Sequence, residues 1–103
     1  MEEQVKERVR RYLEEQGCRV VAEDYALERW GKIDFVVRDG PILAFVVVRK
    51  PERARVTREQ LESLARVAAS FLGERGWWHF VCRFDVAVIS GDPPAVEIKK
   101  DVG

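Results

Sequence analysis

The sequence predicts an α/β domain in which a mixed β-sheet carries helices on its faces. Two segments, residues 3–16 and 58–72, repeat apolar side chains at intervals of three and four, as amphipathic helices do. The apolar runs between and after them have strand length and are separated by turn residues. The resulting order, α-β-β-β-α-β-β, favours a single sheet with helices packed on it.

The first helix is predicted from one apolar face followed by a glycine. Gly17 marks its end, because glycine readily adopts the left-handed backbone conformation found at helix ends. The next segment, residues 18–30, is interpreted as a short strand, a bend and a second short strand. The apolar face of the helix consists of Val5, Val9, Tyr12 and Leu13.

The clearest strands are residues 32–38 and 42–48, which flank the turn residues Asp39 and Gly40. An Asp-Gly pair between two apolar runs is a strong hairpin signal. Both runs are almost continuously apolar, and strands of that kind are usually covered on both faces. The sequence therefore predicts that this hairpin lies in the middle of the sheet.

The second helix has recognisable boundaries. Thr57-x-x-Gln60 has the form of a capping box, in which each side chain bonds the other residue's backbone N–H. Gly73 and Gly76 are expected to end this helix after residue 72. The preceding Pro51 and its charged neighbours are expected to end the central hairpin.

The C-terminal part of the chain predicts two more strands. Residues 80–90 form an apolar run, and the Gly-Asp-Pro-Pro stretch at residues 91–94 predicts a turn. Residues 95–100 are predicted to form the last strand, and the two lysines at its end favour a position at the edge of the sheet.

Length and composition indicate one domain spanning residues 1–103. The formal net charge is zero, so any attraction to nucleic acid must come from a local patch.

No apolar run is long enough to cross a membrane and the N-terminus lacks a signal-peptide core, so a cytoplasmic protein is expected. Cys18 and Cys82 are expected to be buried free thiols. His79 and Cys82 are too few ligands for a zinc site.

Several motifs together resemble the bacterial YraN-type family of predicted endonucleases, which is distantly similar to archaeal Holliday junction resolvases. The resemblance spans nearly the whole chain and implies a restriction-endonuclease-like fold. The Gly-x-Ile-Asp and Arg-Phe-Asp-Val stretches are its most specific parts. The matching motifs are Tyr12-Leu13-x-x-x-Gly17, Trp30-Gly31-x-Ile33-Asp34, Arg38-Asp39-Gly40, Phe45-Val46-x-Val48, Ala68-x-x-Phe71-Leu72 and Cys82-Arg83-Phe84-Asp85-Val86.

The sequence departs from the family at the catalytic positions. The resemblance implies Glu where this chain has Lys32, Glu where it has Val47, and Lys where it has Arg49. An acid often found in the first helix of the family aligns with Lys6. Only Asp34 survives as a remnant of the catalytic set.

These replacements bear on metal binding. Mg²⁺ is held by oxygen ligands, usually carboxylates together with water and substrate phosphate. Alternation along the strands places Lys32 and Asp34 on one face of their strand and Val47 and Arg49 on one face of theirs, and the resemblance implies that these two faces meet. One carboxylate beside two cations is a poor metal site, so no cofactor is expected. Mg²⁺ or Mn²⁺ enters only if acids have moved, and by proximity the candidates for such a relocated site are Glu28, Glu59 and Glu62.

The cationic side chains allow more than one interpretation. Asp34 and Arg49 are either a phosphate-handling remnant or a cross-strand salt bridge, and Arg suits a partly buried carboxylate. The candidate nucleic-acid contacts could instead be solvated surface charge. In sequence order these candidates are Lys6, Lys32, Arg49, Lys50, Arg53, Arg55 and Arg58.

Two further features have structural and functional interpretations. Trp77 and Trp78 could stack on unpaired bases or form a dimer contact, although packing within the fold is commoner for such residues. Arg83 and Asp85 are expected to serve the fold, and His79 is given no role.

Three functions are therefore open. The first is a nuclease-like protein without catalysis, which binds DNA, including branched DNA, or a protein partner. The second is an active metal-dependent endonuclease with relocated acids. The third is a dimerising or regulatory module that has no connection with nucleic acid.

Overall fold

The computed structural model of the chain describes residues 1–102 and contains two α-helices, one 3₁₀ turn and a five-stranded sheet. The order of elements is the predicted one. The elements are α1 (Glu3–Glu15), β1 (Arg19–Leu27), β2 (Gly31–Asp39), β3 (Ile42–Arg49), the 3₁₀ turn (Pro51–Arg53), α2 (Arg58–Arg75), β4 (Val81–Ser90) and β5 (Ala95–Lys99).

The sheet is mixed and its strands lie in chain order, β1-β2-β3-β4-β5. β1, β2 and β3 form an antiparallel meander, and β4 and β5 form an antiparallel hairpin. β3 and β4 are parallel, with Ile42 beside Val81 and Arg49 beside Val88. A parallel pair needs a long crossover, and α2 supplies it.

The two helices cover opposite faces of this sheet. α1 buries Val9 and Leu13 in a cluster that includes Phe35 and Val46, which we call the α1-side cluster. α2 contributes to a second cluster, the α2-side cluster, which includes Phe45. β2 and β3 have buried residues in both clusters, so the prediction that the central hairpin is covered on both faces is confirmed. The α2 members of the second cluster are Leu64, Val67, Ala68, Phe71 and Leu72.

The helix boundaries follow local chemistry, with one difference from prediction. Thr57 and Gln60 form the predicted capping box, with bonds of 3.1 and 2.9 Å. However, α2 continues through Gly73 to Arg75. Gly73 lies under the Trp78 ring, where an added Cβ would be 3.4 Å from Cζ2, so packing explains a glycine inside the helix. Gly76, at φ +66°, ends the helix in the left-handed conformation.

The strands also depart from expectation at β1. It is one continuous strand rather than two, because antiparallel pairing with β2 runs from Arg19 to Leu27. The predicted bend appears instead as a register shift between Val20 and Ala22 and a left-handed residue, Asp24, at φ +53°. β5 lies at the edge of the sheet, as predicted from its lysines.

Both cysteines are free thiols, as predicted, but they are not buried. Cys18 is half-buried and Cys82 is exposed on β4. Apolar neighbours in sequence suggested burial, whereas the sheet leaves the start of β4 open to solvent. Among the described residues, no helix is long and apolar enough to span a membrane.

Candidate functional site

Asp34 is a buried carboxylate at the place where β2 and β3 stop pairing. The β2–β3 register begins at Phe35 and Val46, one residue beyond Asp34. The Val48 N–H donates a 2.6 Å hydrogen bond to Asp34 Oδ2, and Lys32 Nζ lies 3.4 Å from Oδ1. Asp34 is only 4% exposed, and a buried carboxylate needs such partners.

The expected meeting of Lys32, Asp34, Val47 and Arg49 is wrong at one position. Lys32, Asp34 and Arg49 line one groove, together with Val48 and Lys50. Val47 is 2% exposed and belongs to the α2-side cluster. Simple strand alternation fails because Asp34 and Phe35 do not take opposite faces: Ile33 belongs to the α2-side cluster and Phe35 to the α1-side cluster.

This pocket, which we call the Asp34 groove, has a volume of about 470 Å³ and is also lined by Met1, Glu2, Val5 and Ile89. The start of α1 therefore forms one of its walls.

The salt bridge between Asp34 and Arg49, one of the two interpretations of this pair, does not form. Asp34 pairs with Lys32, which precedes it by two residues on the same strand. Arg49 Nη1 instead donates to the Val48 carbonyl oxygen at 3.1 Å. The guanidinium of Arg49 is thus left without a carboxylate partner among residues 1–102.

Asp24 is a site residue that the sequence analysis missed. Its Oδ1 lies 3.5 Å from Lys32 Nζ, and its Oδ2 accepts a hydrogen bond from Lys6. That hydrogen bond holds the pKa of Asp24 below its ordinary value. Asp24 adopts a left-handed conformation inside a strand, which Asp tolerates better than most residues. In the sequence Asp24 follows Glu23 in the segment predicted to bend between two short strands, and no pattern there distinguished it as a site residue.

Lys6 links α1 to this cluster. It also lies 3.4 Å from Glu23 Oε1, and Arg10 binds Glu23 through two hydrogen bonds of 2.8 Å. The hydrogen bond from Arg10 lowers the pKa of Glu23. A chain of alternating charge therefore runs from the Asp34 groove to α1. In order, its members are Asp34, Lys32, Asp24, Lys6, Glu23 and Arg10, three acids and three bases.

The residues at this site do not fit a divalent metal ion. Asp34 has both oxygens engaged, one by a backbone N–H and one by an ammonium group. Val47 offers no donor atom, and residues 1–102 contain no cluster of three His, Cys, Asp or Glu side chains arranged as metal ligands.

The acids proposed for a relocated site do not line the Asp34 groove. They also do not line a second groove that adjoins it, between β3 and the 3₁₀ turn. Glu62 lies 3.8 Å from Arg58 in an exposed i, i+4 pair on α2. The acids that do line these grooves are Glu2, in the Asp34 groove, and Glu52, in the adjoining groove. Neither residue was singled out from the sequence.

The adjoining groove is strongly cationic. It has a volume of about 900 Å³ and shares Val48, Arg49 and Lys50 with the Asp34 groove. The 3₁₀ turn and the segment leading to α2 form its far wall. We call this the basic groove; its charged lining residues are Arg49, Lys50, Glu52, Arg53 and Arg55, and Gln60 completes it.

The structure sorts the predicted nucleic-acid contacts into two groups. Four of them line the basic groove, and none of these four forms a salt bridge with a carboxylate of residues 1–102. The other three are paired with acids: Lys6 with Glu23 and Asp24, Lys32 with Asp24 and Asp34, and Arg58 with Glu62.

Arg83 and Asp85 form a buried ion pair at the opposite end of the sheet. Arg83 donates to both oxygens of Asp85, at 2.9 and 3.0 Å, and to Asp39 at 2.8 Å. Asp85 also accepts a bond from the Asp101 N–H. The hydrogen bond from Arg83 lowers the pKa of Asp39. This network joins the central hairpin, β4 and the C-terminal segment, so its geometry supports a role in the fold.

The two adjacent tryptophans have different surroundings. Trp77 packs against the α2-side cluster, with its ring centroid 5.9 Å from that of Phe71. Trp78 is 63% exposed, and the neighbouring Val81 is 67% exposed. His79 lies beside Phe80, with ring centroids 4.5 Å apart. These residues and the basic groove lie at opposite ends of the sheet, because β3 and β4 are parallel.

The fold and the charged site together define a small α/β protein with a five-stranded mixed sheet and two connected grooves at one sheet end. Comparison with known proteins assigns it to a family. The sequence model of the uncharacterised protein family UPF0102 matches residues 5–89, and the chain belongs to this family. It is the family to which the YraN-type resemblance pointed.

Relatives from several bacteria support this assignment. A UPF0102 protein of Pelotomaculum thermopropionicum is 35% identical over 89 residues, covering 80% of this chain and 73% of the relative. A UPF0102 protein of Pectobacterium carotovorum is 38% identical over 95 residues, covering 84% and 80%. One from Xanthomonas campestris is 38% identical over 100 residues, covering 89% and 81%.

Proposed function

We propose that this protein binds DNA through the basic groove and does not itself carry out metal-dependent cleavage. The observation that carries the proposal is the grouping of Arg49, Lys50, Arg53 and Arg55 around one groove with Glu52 as the one acid in its lining. Cations without carboxylate partners are available to phosphate oxygens. The YraN-type resemblance implies a nuclease-like ancestry and therefore favours DNA as the polyanion that binds here.

The location of these cations also supports DNA binding. The basic groove adjoins the Asp34 groove, and the two share Arg49 and Lys50. In a nuclease of this type the phosphodiester lies beside the metal-binding acids. A protein that lost those acids but kept the neighbouring cations would still bind the phosphate backbone of DNA but would not hydrolyse it.

The side chains present at this site do not support metal-dependent cleavage. Phosphodiester hydrolysis of this kind uses a metal to polarise the phosphate and to lower the pKa of the attacking water. Lys32 and Val47 supply no carboxylate, and the remaining Asp34 is already satisfied by Val48 and Lys32. We therefore derive no catalytic step for this site.

The test is a DNA-binding titration with a labelled duplex and a labelled four-way junction, in EDTA and in Mn²⁺. Binding is expected at low salt, equally in both conditions. The logarithm of the binding constant is expected to fall linearly with the logarithm of the salt concentration. The double variant Arg53→Gln, Arg55→Gln is expected to weaken binding about tenfold and to reduce the salt slope by about 2 if each side chain contacts one phosphate.

The matched control is Arg19→Gln. Arg19 is exposed on β1, at the end of the sheet away from the basic groove, and its loss should leave affinity unchanged. Equal loss in the control would show that only general charge matters. Cleavage that needs Mn²⁺ and disappears in Asp34→Ala would establish the active-nuclease alternative. No binding at low salt would refute DNA binding and favour a protein partner.

A second candidate function, self-association, is favoured by the open edge of β4. β5 pairs with Val86–Ser90 only, and the segment after β5 adds a bond from the Val102 N–H to the Phe84 carbonyl oxygen. The edge at Val81 and Cys82 lies beyond this pairing. An exposed strand edge next to Trp78 and Val81 can pair with a second copy. A monomeric mass from micromolar to millimolar concentration would refute this candidate.

A further inference from the structure

The Lys32 ammonium lies between two carboxylates that come from different strands. Its Nζ is 3.4 Å from Asp34 Oδ1 and 3.5 Å from Asp24 Oδ1. Asp34 is buried on β2, whereas Asp24 is exposed on β1. No other cation of residues 1–102 lies within 4 Å of Asp34. The charge of Lys32 is therefore the main balance for the buried carboxylate.

We propose that Lys32 is the built-in cation of this site. Its ammonium balances Asp24 and Asp34, so the site keeps its structure without a divalent metal and resists one. This inference does not depend on DNA binding. It explains why the one surviving catalytic acid can stay buried although the positions that the family uses for acids hold Lys32 and Val47.

The Lys32 ammonium is tethered to the site by its own side chain. A covalently attached cation is present at a high effective concentration, so a metal ion from solution must displace it before binding. Arg49 and Lys50 line the same groove and repel an incoming cation. Asp34 Oδ2 is occupied by the Val48 N–H, which leaves only Oδ1 to compete for.

Without the lysine, the site would lose the cation that balances its two carboxylates. Two carboxylates that now share one ammonium would both lose it, one of them buried, with Lys6 as the remaining partner of Asp24. Like charges at short range are costly, and a buried unpaired carboxylate is costlier. The site would then be stabilised by a divalent cation, directly or through water, because carboxylates are hard oxygen ligands.

The experiment compares thermal unfolding of the whole protein in EDTA and in Mn²⁺. Tm of the unmodified protein is expected to be the same in both. Lys32→Met keeps the length of the side chain and removes its charge. In EDTA its Tm is expected to be lower by about 4–8 °C, and Mn²⁺ is expected to restore most of the loss.

Two controls separate charge from packing. Lys32→Arg keeps the cation and should be insensitive to Mn²⁺. Lys32→Met combined with Asp24→Asn should lose the recovery in Mn²⁺, because one of the two carboxylates is gone. Electron paramagnetic resonance of free Mn²⁺ measures the binding directly in the same samples.

The proposal is overturned if Mn²⁺ raises the Tm of the unmodified protein, or if Lys32→Met gains no stability from the metal. If Lys32→Met does not fold in EDTA, folding in Mn²⁺ supports the proposal and failure in both overturns it. Because no DNA is present, these outcomes are independent of the DNA-binding titration.

Discussion

The Val48 N–H donates its hydrogen bond to the Asp34 carboxylate, at 2.6 Å, and so joins β2 to β3 where their backbones no longer pair. A side chain thus continues the connection between two central strands. The same carboxylate also binds Lys32. Asp34 therefore has a structural role in this chain whether or not its ancestors used it in catalysis.

We expect Asp34→Ala to lower the free energy of unfolding by about 2–3 kcal/mol, because it leaves the Val48 N–H without its acceptor and Lys32 without its buried partner. Asp34→Asn keeps an oxygen acceptor of the same shape and should cost less. Urea unfolding measures both. Equal losses would mean that the carboxylate charge, and not the hydrogen bond to Val48, carries the stabilisation.

Introducing at position 47 the glutamate that the YraN-type resemblance implies is expected to destabilise the protein rather than create a metal site. Val47 is 2% exposed among apolar side chains of the α2-side cluster, so Val47→Glu would bury an unpaired carboxylate. The expected loss is about 3 kcal/mol or more. Val47→Ile is the control for volume. A stable Val47→Glu protein that binds Mn²⁺ would contradict the placement of this side chain.

The ion pair between Glu23 and Arg10 is expected to make stability fall in acid. The pKa of Glu23 is lowered by its hydrogen bonds to Arg10, so the folded state binds its proton less readily than the unfolded state. Its contribution is complete above the ordinary pKa of a glutamate and is lost as the pH falls through the lowered folded-state pKa.

Glu23→Gln tests this pH dependence. It should cost about 0.5–1 kcal/mol at pH 7, since the pair is partly exposed, and progressively less as the pH falls through the lowered folded-state pKa of Glu23. Urea unfolding from pH 7 to pH 2.5 measures the difference. A cost that does not change with pH would show that the pair contributes through shape alone.

Removing Arg83 is expected to be far more damaging than removing the charge of Asp39. Arg83→Met would leave Asp85, which is 2% exposed, with only the Asp101 N–H as partner. Breaking a buried pair in this way costs about 3–5 kcal/mol. Asp39→Asn removes the charge of a half-buried partner of Arg83 and should cost about 1 kcal/mol. Thermal unfolding of both variants provides the comparison, and similar losses would refute the structural role assigned to Asp85.

Local sequence signals predicted most of the elements. The capping box of α2 and the central hairpin follow from interactions between residues close in sequence. The edge position of β5 follows from the affinity of its lysines for water. The end of α2 was predicted too early because the reason for Gly73 is Trp78, which lies across a turn. The continuity of β1 was missed because pairing with β2, and not β1's own residues, carries the strand through Asp24.

The candidate site divides in the same way. By itself the sequence determined where the strands of the central hairpin lie and that cations cluster around Arg53, and its YraN-type resemblance predicted that acids are replaced at Lys32 and Val47 while Asp34 remains. Only the tertiary structure decided that Val47 faces the α2-side core, that Asp34 pairs with Lys32 and not Arg49, and that Asp24 joins them. The physical reason is that residue identity is local, whereas the partner of a charge depends on which strands meet and on the local twist and register of those strands.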